Sequence, residues 1–332
     1  MSFPLSGLIA AVCTPMHGDG SLNLDVIPRA VSQLVSDGVT GIYICGSTGE
    51  GISLTCSERK SVAEAFISAA RARLKTIVQV GHNSVSEARD LARHAQAVGA
   101  DAISSVPPSY FKMGSVDVLV RCMADIAAGA PDRPFYYYHI PTLSGHSYDM
   151  PSFLEISANR IPNLAGIKFT SQAAFEYQAC RNVMDGRFDI VWGVDEMLLS
   201  ALVVGARAAI GSTYNVAGRL YRALIDAFER GDLHSARVLQ LQSVNLVRLM
   251  NRYPFHAALK YLWTLKGIDY GSCRAPLESL SPAAQAKLCS EIHALGVADW
   301  LRCATSGHCE SPESVQQLDG QQIDGLPHVR QA

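Results

Sequence analysis

Apolar and polar positions along this chain switch repeatedly between two periods. Short, nearly continuous apolar runs stand at "LIAAVCTP" (8–15), "TGIYICG" (40–46), "KTIVQVG" (75–81) and "DAISSVPP" (101–108). They continue at "PFYYYHIP" (134–141), "LAGIKFTS" (164–171), "FDIVWG" (188–193) and "ARAAIGS" (206–212). Between them, segments such as "SERKSVAEAFISAARARL" and "SVSEARDLARHAQAVGA" place apolar residues three or four apart, the helical spacing. Several open at Ser or Asp and close near Gly, as helix ends do. Strands apolar on both faces, each followed by a helix, predict a parallel sheet covered by helices. Eight such units predict a closed (β/α)8 TIM barrel. No GxGxxG follows the first strand, so a dinucleotide-binding fold lacks its main support.

The alternation predicts a barrel over residues 1–231 and an appended C-terminal helical segment over 232–303. In that segment "DLHSARVLQLQSVNLVRLMNR", "FHAALKYLWTLKG" and "SPAAQAKLCSEIHALGVADWL" read as three helices with no strand between them. The segment is expected to pack on the barrel or on a neighbouring subunit. Residues 304–332 are polar and aperiodic, and a disordered tail is expected there.

Composition narrows the function. The 332 residues are 48% hydrophobic and 17% charged, ample for a large core. A formal net charge of -2 gives no reason to expect nucleic acid or an anionic membrane as partner. Nine cysteines without a CxxC pair argue for reduced thiols rather than disulfides or a zinc site. The opening "MSFPLSGLIAAVCTPM" has no basic leader, and its apolar run is too short for a membrane span. A soluble cytoplasmic protein is expected.

In a barrel of this kind the site lies at the carboxyl ends of the strands. Those ends carry Thr14, Gly46-Ser47-Thr48-Gly49-Glu50, Pro107-Pro108, Tyr138, Lys168, Gly193-Val194-Asp195-Glu196 and Gly211-Ser212-Thr213. Strand side chains alternate, so Gly166, Lys168 and Thr170 share one face while Ile167 and Phe169 share the other. If the apolar pair faces the helices, Lys168 points into the barrel. Two readings follow: a lysine that snorkels to water from a strand end, or a Schiff-base amine. The second requires a neutral amine, and bringing its pKa from about 10.4 toward 7–8 costs roughly 4 kcal/mol, which burial can supply.

Tyr138 ends the preceding strand, within reach of Lys168, as a candidate proton-shuttling phenol; Tyr136 and Tyr137 read as core residues. "GSTGE" (46–50) can present backbone N–H groups and hydroxyls to an anion, or be an ordinary βα turn. Asp195 either caps the helix that follows it or, with Glu196, accepts from a polyhydroxylated substrate. "GSTYN" (211–215) leaves a phosphorylated ligand open. No His and carboxylate cluster stands at metal spacing, so no metal is expected.

With "GSTGE", "YYYHIP", "GIKFT", "GVDE" and "GSTYN" in this order, the chain resembles the N-acetylneuraminate lyase family. That family belongs to the pyruvate-dependent class I aldolases, which also include dihydrodipicolinate synthases. The likeness runs from about Gly7 to near Leu301. It implies that Lys168 forms a Schiff base with pyruvate or with the C2 ketone of sialic acid, and that Tyr138 moves the proton as the C3–C4 bond breaks. It further implies that Ser47 and Thr48 hold the pyruvyl carboxylate. Thr170, Gly193, Asp195, Glu196 and Ser212 would line the sugar end. No cofactor is required, because the protonated imine is the electron sink. A homotetramer is implied, with Tyr110 matching a tyrosine lent to a neighbouring site. Synthases carry an arginine five residues after the strand-five tyrosine; Leu143 stands there, which favours a neutral sugar.

Overall fold

The apolar runs form eight short parallel strands in the computed structural model, which describes residues 4–301. They are β1 (Gly7–Ala11), β2 (Gly41–Ile44), β3 (Lys75–Gln79), β4 (Ala102–Ser105), β5 (Phe135–His139), β6 (Leu164–Phe169), β7 (Asp189–Trp192) and β8 (Ala208–Gly211). Each pairs with the next in sequence, and β8 closes on β1 with Leu8 opposite Ala209 and Ile9 opposite Ile210. The predicted (β/α)8 barrel is the observed fold.

Alternation along each strand divides the core into two shells. Ile9, Tyr43, Ile77, Tyr136, Tyr138 and Val191 fill the barrel, while Ile42, Ile44, Ile167, Phe169 and Trp192 pack outward against helices. Burying an outward residue such as Ile167 or Phe169 is worth about 1.5–3 kcal/mol each. Helix starts carry the expected caps. Thr55 accepts from the Glu58 N–H and donates its own N–H to the Glu58 carboxylate, opening the Cys56–Ala70 helix with a reciprocal box. Ser84 caps the Val85–Ala97 helix in the same way with its hydroxyl alone.

After the barrel come helices Leu233–Met250, Phe255–Leu265, Pro282–Ala294 and Ala298–Leu301. The first lies along the Tyr214–Glu229 helix and against the turn at Asp195–Met197. The segment thus packs on the barrel. The third predicted helix is in fact two, because Gly296 takes a left-handed φ of +70° that a continuing helix cannot hold. Two buried ion pairs fasten the segment: Lys260 Nζ to Glu50 at 2.6 Å and Lys266 Nζ to Asp37 at 2.7 Å. The tail expected at 304–332 lies outside the described residues. Among the described residues no helix is long and apolar enough to cross a membrane.

Candidate active site

Lys168 is set by the alternation of β6. Ile167 and Phe169 face the helices, which sends the lysine inward, where only 3% of it is exposed. It does not reach water, so the snorkelling alternative fails. Tyr138 stands directly opposite on β5. The amine nitrogen lies 3.8 Å from the Tyr138 ring centroid and 3.9 Å from that of Tyr43 on β2. Lys260 and Lys266 are buried too, but each meets a carboxylate. Lys168 has no such partner among the described residues. Burial drives its pKa below the ordinary lysine range, opposed more weakly by Tyr138 and Asp195. Burial of this kind favours the neutral, nucleophilic form of the amine. The two ring faces suit the positive charge that appears once the amine becomes an iminium.

Beside this pair sits the "GSTGE" turn. Ser47 Oγ is 3.5 Å from the Tyr138 hydroxyl, and Thr48 Oγ1 is 2.7 Å from Ser212 Oγ. The turn is braced from several sides: Thr14 Oγ1 donates to Gly49 O, and a His256 ring nitrogen lies 3.0 Å from Ser47 O. Glu50 adopts a left-handed φ of +56°, unusual for a residue with a side chain. Its carboxylate is held by Lys260 and by the Arg274 N–H. Gly51 is obligatory, since a Cβ there would run into the Cys45 carbonyl.

Ser212 joins this inner cluster to an outer cavity of about 600 Å³, which it lines with Thr170, Gly193, Asp195 and Glu196. All five residues predicted for the sugar end therefore meet in one place. A Cβ on Gly193 would collide with Thr170 Oγ1, whose hydroxyl is buried without a partner. Asp195 does not cap its own helix. Its Oδ2 instead accepts from Thr213 N at 2.8 Å and from Thr213 Oγ1 at 2.6 Å. Burial pushes its carboxyl up to about 6. Among the described residues no basic side chain lines the cavity. Leu143 is 67% exposed on the Pro141–Ser144 helix, and the wall there is made by Pro141 and Thr142 instead. Tyr110 is also exposed, edge-on to Phe111, and does not enter this chain's own cavity.

A single inward lysine on β6, a tyrosine opposite it and a hydroxyl-bearing βα turn can be compared with known proteins. The dihydrodipicolinate synthetase family matches over residues 4–295. The chain belongs to the dihydrodipicolinate synthetase family. Among curated relatives, the N-acetylneuraminate lyase of Xenopus tropicalis is 42% identical over 279 residues, covering 83% of this chain and 91% of that protein. The mouse N-acetylneuraminate lyase is 38% identical over 303 residues, 89% of this chain and 95% of that protein. The solved structure of Proteus mirabilis N-acetylneuraminate lyase superimposes with a TM-score of 0.86 at 41% identity, covering 88% of this chain and 99% of that one.

Two features of this family member escaped sequence reasoning. Tyr43, under the lysine, was legible in principle: alternation in "GIYI" turns it inward, away from Ile42 and Ile44. Val247, Asn251 and Phe255 line the cavity from the C-terminal helical segment, and no local pattern marks them.

Proposed function

We propose that this chain is an N-acetylneuraminate lyase, a class I aldolase that cleaves sialic acid to N-acetylmannosamine and pyruvate. The observation that carries the reading is Lys168, buried, with no carboxylate partner among the described residues and facing Tyr138. Its amine attacks the C2 ketone of the open-chain sugar acid, and loss of water leaves a protonated imine. As Tyr138 takes the proton of the C4 hydroxyl it passes its own phenolic proton to the pyruvyl carboxylate held beside it at Ser47. The C3–C4 bond breaks and its electron pair flows into the iminium, forming an enamine. Protonation at C3 and hydrolysis release pyruvate and restore the amine. Ser47 and Thr48 hold the pyruvyl carboxylate; Thr170, Gly193, Asp195, Glu196 and Ser212 receive the sugar. The named relatives support this substrate.

A synthase reading, with an anionic aldehyde at the outer end, is less favoured. That end presents Asp195 and Glu196 and, among the described residues, no cation, so a second carboxylate would meet repulsion. An assay coupling pyruvate release to a reporter, run across sialic and other sugar acids, tests the reading. Condensation of pyruvate with aspartate semialdehyde, without sialic acid cleavage, would overturn it.

The enzyme is further proposed to work in the cytoplasm as a homotetramer. The exposed Tyr110–Phe111 pair at the barrel mouth supports a neighbouring subunit there. Light scattering coupled to size exclusion checks the mass.

A further inference from the structure

Asp195 is the last link of a hydrogen-bonded chain that leaves the site. Thr213 Oγ1 lies 2.6 Å from Asp195 Oδ2 and 2.6 Å from the Tyr221 hydroxyl. Tyr221 OH lies 2.9 Å from Ser243 Oγ, which is also 3.4 Å from the Asp195 carbonyl. Thr213, Tyr221 and Ser243 are fully buried and none of them lines the cavity. They stand 18, 26 and 48 positions after Asp195, on the turn after β8, the Tyr214–Glu229 helix and the Leu233–Met250 helix.

Counting hydrogens gives the chain a direction. An ionised Asp195 can only accept, so Thr213 spends its one hydroxyl hydrogen on Oδ2. Thr213 must then accept from Tyr221, and Tyr221 from Ser243. Every hydroxyl points its hydrogen toward the carboxylate, an arrangement in which each bond polarises the next. Both donors of Thr213 converge on Oδ2, leaving Oδ1 with no protein donor among the described residues. Oδ1 lies against Gly211, where any Cβ would collide with it.

We propose that Thr213, Tyr221 and Ser243 are positioning residues that hold the Asp195 carboxylate ionised and oriented, with Oδ1 free to accept from a substrate hydroxyl. This rests on the reading of Asp195 as a sugar-end residue of a lyase. It makes the helical segment after the barrel a working part of the sugar site. The other titratable groups acting on Asp195 are Lys168 from β6, the adjacent Glu196, and Tyr214 from the same helix as Tyr221. The Tyr214 hydroxyl has no hydrogen-bond partner among the described residues, so it is not a link of the chain.

The test uses the full-length enzyme and the variants Tyr221→Phe, Ser243→Ala, Thr213→Val and Thr213→Ser. Tyr221→Phe is expected to lower kcat/KM for sialic acid about three- to tenfold and Thr213→Val by about tenfold or more. In both, the acid limb of the pH profile moves to higher pH: Thr213→Val takes a hydroxyl donor from the carboxylate, and Tyr221→Phe takes away the bond that polarises that donor, so the carboxyl holds its proton longer. Thr213→Ser keeps the wild-type profile. Borohydride trapping of pyruvate on Lys168 stays at the wild-type level throughout. If Tyr221→Phe does not fold, Ser243→Ala carries the same test with one oxygen removed. An unmoved acid limb in Thr213→Val and Tyr221→Phe overturns the proposal. So does loss of trapping in parallel with cleavage, which marks a general disturbance of the barrel mouth. Carbon-13 titration of the Asp195 carboxyl separates this inference from the assigned activity. An unchanged titration in Tyr221→Phe overturns the positioning role whatever the substrate, while a wild-type enzyme inert toward sialic acid overturns the lyase reading itself.

Discussion

The amine of Lys168 lies 3.8 Å from the centre of the Tyr138 ring, its direct cross-strand partner. Incubation with pyruvate and borohydride is therefore expected to add one reduced pyruvyl group, found by peptide mass spectrometry on Lys168. Lys168→Met should give no adduct. An adduct on another lysine, or cleavage without any adduct, would remove the Schiff-base mechanism.

The same burial that keeps the amine reactive should cost stability. Its folded pKa lies below the ordinary 10.5, so the unfolded chain binds the proton more tightly. Stability from this group therefore rises with pH up to about 10.5 and falls as pH drops. Lys168→Met removes that dependence. Its thermal midpoint should exceed wild type near neutral pH, and the gap should narrow toward pH 10.5. A constant gap across melts at several pH values would mean that the lysine is charged in the folded state.

Tyr138→Phe keeps the ring that packs edge-on to Tyr43 at 5.6 Å and removes only the hydroxyl. Loss of a positioned proton-transfer group should slow sialic acid cleavage by about 10²- to 10⁴-fold. Pyruvate trapping and thermal stability should survive. Cleavage at the wild-type rate would assign the proton transfer elsewhere.

Asp195→Ala should reduce kcat/KM for sialic acid by roughly 10- to 150-fold, the worth of one hydrogen bond to a charged group. It also strips Thr213 of its acceptor, so a lower melting temperature is expected alongside. With the carboxyl pushed up to about 6, wild-type kcat/KM should decline as pH falls through that value. Steady-state rates between about pH 5 and 8 read this limb, and the alanine variant should lack its Asp195 component.

Lys260→Met leaves Glu50 buried without its ion-pair partner, which should destabilise the fold by about 3–5 kcal/mol in urea titrations. Because Glu50 closes the turn bearing Ser47 and Thr48, KM for pyruvate in the synthetic direction should rise as well. A change in stability with no change in KM would separate the ion pair from the carboxylate-binding turn.

The sequence by itself determined the eightfold alternation, the closed barrel and the inward direction of Lys168 and Tyr138. Those features depend on a two-residue period and on neighbours in sequence, so they are visible in any short window. Alternation likewise brought Thr170, Gly193 and Ser212 to one mouth. The tertiary structure decided what surrounds them. Glu50 meets Lys260 across 210 positions of chain, and the Asp195 carboxylate is held by Thr213, itself backed by Tyr221 and Ser243, rather than by its own helix. The same holds for the walls: Phe255 and Asn251 reach the cavity from a segment that reads only as amphipathic helix, whereas Leu143 turns to solvent. Burial and hydrogen-bond partners depend on which distant surfaces come within 3 Å of each other. No local periodicity encodes that distance; only the packed barrel does.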